Sequence, residues 1–117
     1  MKLLVIIIRH EKYRETRKAL EDLEFVSYSS RDILGRGNIG SSLEVKKKTD
    51  DKDTRGSILY SRKMIEICVT DKDVDQVTDI IVRVNQSGHH GDGKIFVLPL
   101  KDAYRVRTAE KGDNAIV

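Results

Sequence analysis

The chain has 117 residues, about the size of one domain, and its 38% apolar content can supply one modest core. Charged residues make up 35%, but both signs are mixed and the net charge is only +3, so the clustered basic excess of a nucleic-acid binder is missing. One cysteine, Cys68, excludes an internal disulfide framework, and no apolar run is long enough to span a bilayer; a cytoplasmic protein that is not membrane-embedded is expected.

Leu3 to Ile8 is a continuous aliphatic run and predicts a buried strand. From Glu11 to Glu24 the period changes. Tyr13, Thr16, Leu20 and Leu23 recur at spacings of three and four, which is one face of an amphipathic helix. Phe25 to Leu34 alternates weakly and predicts a second strand. Gly35 to Ser57 has no period, with glycines at 35, 37, 40 and 56 and a charged tract from Glu44 to Arg55. So long an irregular stretch inside a compact domain is usually functional or disordered. Ile58 to Val69 predicts a third strand, with Ile65, Ile67 and Val69 on one face and Met64, Glu66 and Cys68 on the other. Cys68 reads as a core residue there. Thr70-x-x-Asp73 is close to a capping box and opens a second helix, whose apolar face is Val74, Val77, Ile80, Ile81 and Val84. Gly88 is a natural stop after it. Gly91 to Lys94 reads as a turn, Ile95 to Leu100 as a fourth strand, and Arg105 to Val117 as a polar, irregular tail.

The order strand, helix, strand, long loop, strand, helix, strand predicts an α+β fold. It is a ferredoxin-like βαββαβ sandwich, one domain over residues 1–117, with a four-stranded antiparallel sheet and both helices on one face. Residues 4–8 and 65–69 are apolar on both alternations, so the second face of the sheet should pack against other subunits.

Gly88-His89-His90-Gly91-Asp92-Gly93-Lys94 fits the first part of a P-loop. Ile95 stands where a Ser or Thr should hold magnesium, and the turn follows a helix and opens a strand, the reverse of a P-loop, which argues against that motif. The turn still suits an anion: Gly91 and Gly93 permit left-handed backbone and Lys94 adds charge. The alternative is an ordinary glycine-rich turn. Arg105 and Arg107, at i and i+2 of a stretch read as extended, would project to one side, and two guanidinium forks suit a polyphosphate. Surface pairing with Asp102, Glu110 or Asp113 is the plainer reading of those arginines. Asp71-Lys72-Asp73-Val74-Asp75 mimics a calcium loop but has Gln76 for its glycine and Val82 for its final glutamate, so it is taken as an acidic helix start. His89 and His90 lack a third metal ligand at useful spacing and are taken as loop residues.

The turn and the arginines together carry a resemblance. Gly91-Asp92-Gly93-Lys94-Ile95-Phe96-Val97, then Arg105-Val106-Arg107-Thr108 and Asp113-Asn114-Ala115-Ile116, closely resemble the C-terminal signature of the PII nitrogen-regulatory proteins (GlnB/GlnK-like). The likeness covers nearly the whole chain, through Ile7-Ile8-Arg9, Gly35-Arg36-Gly37, Glu66 and Asn85-Gln86-Ser87-Gly88. It implies a trimer with ATP or ADP, with or without Mg2+, in clefts between subunits. The phosphate-binding turn would span 88–94 and a C-terminal loop 105–117. The implied nucleotide-binding positions are Gly91, Asp92, Gly93, Lys94, Arg105, Arg107, Glu66, Ile7, Gly35, Gly37, Ser29 and Cys68. Ser29 replaces a usual Thr, and Cys68 a usually aliphatic residue that packs on the base.

The resemblance also implies a long T-loop at about 37–59 that meets the target, with Lys46, Lys47, Lys48 and Arg55 as docking residues; from the residues alone, Lys46 to Lys48 with Asp50, Asp51 and Asp53 read as a solvated loop tip. The loop has no tyrosine, with Arg55 near the position that is uridylylated in enteric members, so that modification is not expected. Ile39 stands where the family has a glutamine that helps hold magnesium and 2-oxoglutarate, and Arg62 stands near the effector lysine. Ile39 cannot ligate a metal, which argues against direct 2-oxoglutarate binding by this chain alone. These features look most like the archaeal, nitrogenase-associated PII-like proteins (the NifI group), which implies a homotrimer or a mixed assembly with a PII-like paralogue and nitrogenase as target. The rivals are a PII regulator of an ammonium transporter or glutamine synthetase and, from another class, a small phosphate-handling enzyme, which lacks a nucleophile–base pair near the turn.

Overall fold

The computed structural model describes residues 1–36 and 59–117. Its elements are β1 (Lys2–Ile8), α1 (Tyr13–Asp22), β2 (Tyr28–Gly35), β3 (Tyr60–Val69), α2 (Val74–Asn85) and β4 (Gly93–Pro99). The four strands form one antiparallel sheet in the order β2-β3-β1-β4. With a helix after β1 and after β3, this is the expected ferredoxin-like topology.

The strand register explains the core. Ile6 faces Ile65 on one side and Ile95 on the other, and Leu4 faces Ile67 and Val97. The residues in step with them, Leu4, Ile6, Ile8, Ile65, Ile67 and Val69, are buried against Leu20 of α1 and Val77 and Ile81 of α2. Each such side chain removed from water contributes about 1.5–3 kcal/mol. The two halves of the chain repeat one plan. Each central strand leads into a single 3-10 turn, His10–Lys12 or Asp71–Asp73, and then into the helix. Thr16 and Leu20 of the first helix match Val77 and Ile81 of the second as the buried pair.

The local structure differs from the sequence expectation in several places. The first helix is shorter than Glu11 to Glu24, because residues 10–12 form the 3-10 turn and Glu24 adopts φ 68° after the helix ends. The second strand starts at Tyr28, so Phe25 packs on the core from the connection. Thr70 and Asp73 do not form a capping box: the Thr70 hydroxyl donates to the Asp73 carboxylate at 2.6 Å, with no side-chain bond to a backbone amide. The fourth strand starts at Gly93, so Gly93 and Lys94 are strand residues paired with Ile8 and Ile7. Asn85, the last residue of α2, is buried, and its Nδ2 donates to Thr16 Oγ1 and Ile81 O, each at 2.9 Å, tying the helices together.

The other sheet face carries Leu3, Val5, Ile7, Met64 and Cys68, all half-buried, and Phe96 and Leu98, which are exposed. The continuous apolar runs thus supply both faces, and no described element covers the second. No helix among the described residues is long and apolar enough to cross a membrane.

Candidate functional site

Helix α2 ends at Asn85, and the chain turns back to β4 through residues 86–92. Three glycines make that reversal possible, with φ of 83° at Gly88, 91° at Gly91 and 127° at Gly93. Asp92 organises the turn. It accepts the Ser87 amide at 2.7 Å, the Gly88 amide at 3.1 Å and the Ser87 hydroxyl. Arg9, just past β1, closes the set: Nη1 donates to Asp92 Oδ1 at 2.6 Å and Nη2 to the His90 carbonyl at 2.7 Å.

The Ser87 side chain first, then the Ser87 amide and Arg9, hold the Asp92 carboxyl far below the usual carboxylate range. A depressed folded-state pKa stabilises above the unfolded value of about 3.9 and is lost as pH falls through the folded value. The turn should therefore stay buckled well into acid. In a carbon-detected NMR titration, Asp92 is expected to stay ionised where exposed carboxylates protonate, and Ser87→Ala should move its midpoint up. An ordinary midpoint in the unsubstituted protein would contradict this geometry.

The turn opens onto a cleft of about 550 Å³ lined by Ile7, Gly35, Arg36, Arg62, His89, His90, Gly91, Asp92, Gly93 and Lys94, among others. That volume lies within the range of small-ligand sites. Lys94 is exposed and makes no ion pair with a described residue. Arg62 bonds the Ser61 carbonyl at 3.0 Å and sits 5.3 Å from the Tyr60 ring centroid.

A second cleft, about 470 Å³, is lined by Ser29, Glu66, Cys68, Arg105 and the chain end at Ala115 to Val117, among others. The two linings share no residue. Arg31 reaches Glu66 at 3.2 Å. Cys68 is half-buried on the outer sheet face, not in the helix-covered core, and burial raises its thiol pKa.

Arg105 and Arg107 do not lie in an extended stretch. Residues 106–108 form a turn, closed by the Ala109 amide on Arg105 O and the Arg105 amide on Glu110 O, both at 2.8 Å, with Ala109 at φ 60°. Tyr104 bridges Lys111, and Gly112–Ala115 is a 3-10 turn, so the tail is more regular than its composition predicts. Arg105 donates to Glu110 at 2.7 Å and to the carbonyls of Asn114 and Val117 at 2.9 and 2.6 Å. The Glu110 pairing is the plainer alternative noted for it. Arg107 is exposed, and lines neither cleft.

Gly37, Ile39, Lys46, Lys47, Lys48 and Arg55 lie outside the described residues. Sequence reasoning missed Arg9 and Ser87 as turn residues. The available signal was an Asp with a Ser five residues before it across glycines, a pattern suited to side-chain capping of a loop backbone. It also missed a row on the helix-side face, where His10 Nε2 meets Ser61 Oγ at 2.6 Å and Nδ1 lies 3.7 Å from Asp32. That last distance is too long for a hydrogen bond, and Lys63 holds Asp32 at 2.9 Å, so the row lacks the oriented base of a nucleophilic triad.

The family model for nitrogen regulatory protein P-II matches residues 1–110. A "nitrogen fixation nifHD region GlnB-like protein 2" of Methanothermobacter marburgensis is 40% identical, over 99% of this chain and 100% of its own length. The protein of the same description in Methanobacterium ivanovii is 38% identical over the whole of both chains. "Nitrogen regulatory protein P-II 2" of Methanothermobacter thermautotrophicus is 39% identical, over 99% of this chain and 97% of its own length. The family that this model describes is one of signal-transduction regulators. The chain belongs to the P-II family of nitrogen regulatory proteins.

Proposed function

We propose that this chain is an ATP- and ADP-responsive nitrogen regulator whose nucleotide sites form between subunits of a trimer and control a T-loop at 37–59. The observation that carries the reading is the division of the implied site residues between two clefts. Gly91, Asp92, Gly93, Lys94, Ile7 and Gly35 line one, and Ser29, Glu66, Cys68 and Arg105 the other. Each cleft is half a site, and a symmetric neighbour would complete both, with the apolar outer sheet face as the contact. The residues suit a nucleotide phosphate: positive-φ glycines, an exposed Lys94 and Arg62 surround the first cleft. Arg105 must exchange Glu110 for a phosphate, two ligands of the same sign of charge. Among the described residues no group of three or more His, Cys, Asp or Glu could hold a metal.

Nitrogenase is the proposed target, because the relatives are described by the nitrogen fixation region. Their number 2 supports a mixed assembly with a paralogue. Regulation of an ammonium transporter or glutamine synthetase is the second reading, favoured by the plainer description of the Methanothermobacter thermautotrophicus relative.

Calorimetry with ATP and ADP tests the site. Binding is expected, and Lys94→Ala should weaken it about tenfold or more, the loss of one charge-assisted contact. No heat from the unsubstituted protein, or equal affinity after the substitution, would defeat the nucleotide reading. Adding the protein to a nitrogenase assay with ADP or ATP tests the target.

A further inference from the structure

Arg9 has no part in the site as proposed, yet it makes the two shortest side-chain contacts to the turn from outside it. It lies one residue past β1, three-quarters buried, with its guanidinium split between Asp92 Oδ1 and His90 O. Asp92 has no acceptor to spare: Oδ1 takes Arg9 and the Ser87 hydroxyl, and Oδ2 takes the amides of Ser87 and Gly88. A carboxylate so engaged is unavailable to a ligand. Left uncompensated, its charge would repel an anion in the same cleft.

We infer that Arg9 is a positioning residue for the phosphate-binding turn, acting through Asp92 to fix the turn backbone and cancel the carboxylate charge before an anion arrives. The inference rests on the nucleotide reading above and deepens it. The turn is built to admit the guanidinium. A Cβ on Gly91 would stand 3.1 Å from Arg9 Nη2 and 3.3 Å from Arg62 Nη2, so the glycine leaves room for two arginines. Arg62 belongs to β3 just beyond the 37–59 segment, so the same glycine sits between the turn's anchor and the foot of that segment. The fork shape matters as well as the charge, because one planar group bonds both a side chain and a carbonyl.

The experiment compares Arg9→Gln, Arg9→Lys, Asp92→Asn and the Arg9→Gln/Asp92→Asn double variant by ATP calorimetry and by amide hydrogen exchange at Ser87 and Gly88. Arg9→Gln is expected to weaken ATP binding about tenfold, while the double variant binds no worse than Asp92→Asn alone, the non-additivity of coupled residues. Arg9→Lys, which keeps the charge and loses the fork, should recover part of the affinity. Exchange at Ser87 and Gly88 should quicken in Arg9→Gln with the core amides of β1 and β3 unchanged. Additive losses would mean that Arg9 touches the phosphate itself, and would overturn the positioning role. Unchanged exchange at the two amides would overturn it too. The exchange readout needs no nucleotide, so failure of the unsubstituted protein to bind ATP would count against the proposed function alone.

Discussion

Replacing Gly93 with alanine should destabilise the protein by about 3 kcal/mol or more, the sum of a strained backbone and an overpacked contact. Gly93 sits at φ 127°, opposite Ile8, at the start of the edge strand β4. A Cβ there would lie 2.0 Å from the Ile7 carbonyl oxygen and 3.3 Å from the Ile8 Cα. Both are backbone atoms of a central strand, so neither can move aside without breaking the β1–β4 pairing. Gly91 is the internal control. It has a positive φ too, but its neighbours are the tips of Arg9 and Arg62, which can swing away, so Gly91→Ala should cost only about 1–2 kcal/mol. Urea unfolding of both variants checks the contrast. Equal losses would show that the close approach to β1 is not what demands glycine at 93.

Leu3→Glu should give a monomer that no longer binds ATP tightly. Leu3 lies between Cys68 and Leu98 on the uncovered sheet face, so a carboxylate there would interrupt an apolar row. It lines neither cleft. A carboxylate trapped there in an assembled interface costs several kcal/mol. Sedimentation should show the dissociation, and calorimetry an affinity down by about two orders of magnitude, because the proposed arrangement leaves a separated subunit only half a site. Dissociation with unchanged ATP affinity would place a complete site within one chain. An intact trimer would show that the outer face is not the contact.

The frame was legible because its signals are periodic. The switch from the aliphatic run at Leu3 to Ile8 to the three-and-four spacing of Tyr13, Thr16 and Leu20 fixed a strand and a helix, and the same switch recurs at Ile65 to Val69 and Val74 to Ile81. Segment ends were harder to read, because they depend on contacts distant in sequence. Nothing local to Gly93 and Lys94 shows that β1 will pair with them, which is why they were read as turn. The error at Arg105 and Arg107 has a different origin. Alternating Arg-Val-Arg mimics a strand, but the Glu110 carboxylate and backbone draw the chain into a turn, and no strand stands beside it to hold it extended. Asp92 was legible as part of the turn, though its role in holding that turn needed Arg9, a residue more than eighty positions away.

The pairing of Gly35 with Tyr60 has a consequence for how this chain could diversify. The stretch between them starts and finishes at the last rung of the β2–β3 ladder, which is clamped further along by Lys63 on Asp32 and Arg31 on Glu66. The entropic cost of closing a loop across paired ends rises by only about 0.6 kcal/mol for each doubling of its length. Insertions or deletions there would leave the ladder, the helices and the glycine turn nearly untouched. Length in that stretch is thermodynamically cheap, so selection can adjust it while the rest of the domain stays fixed.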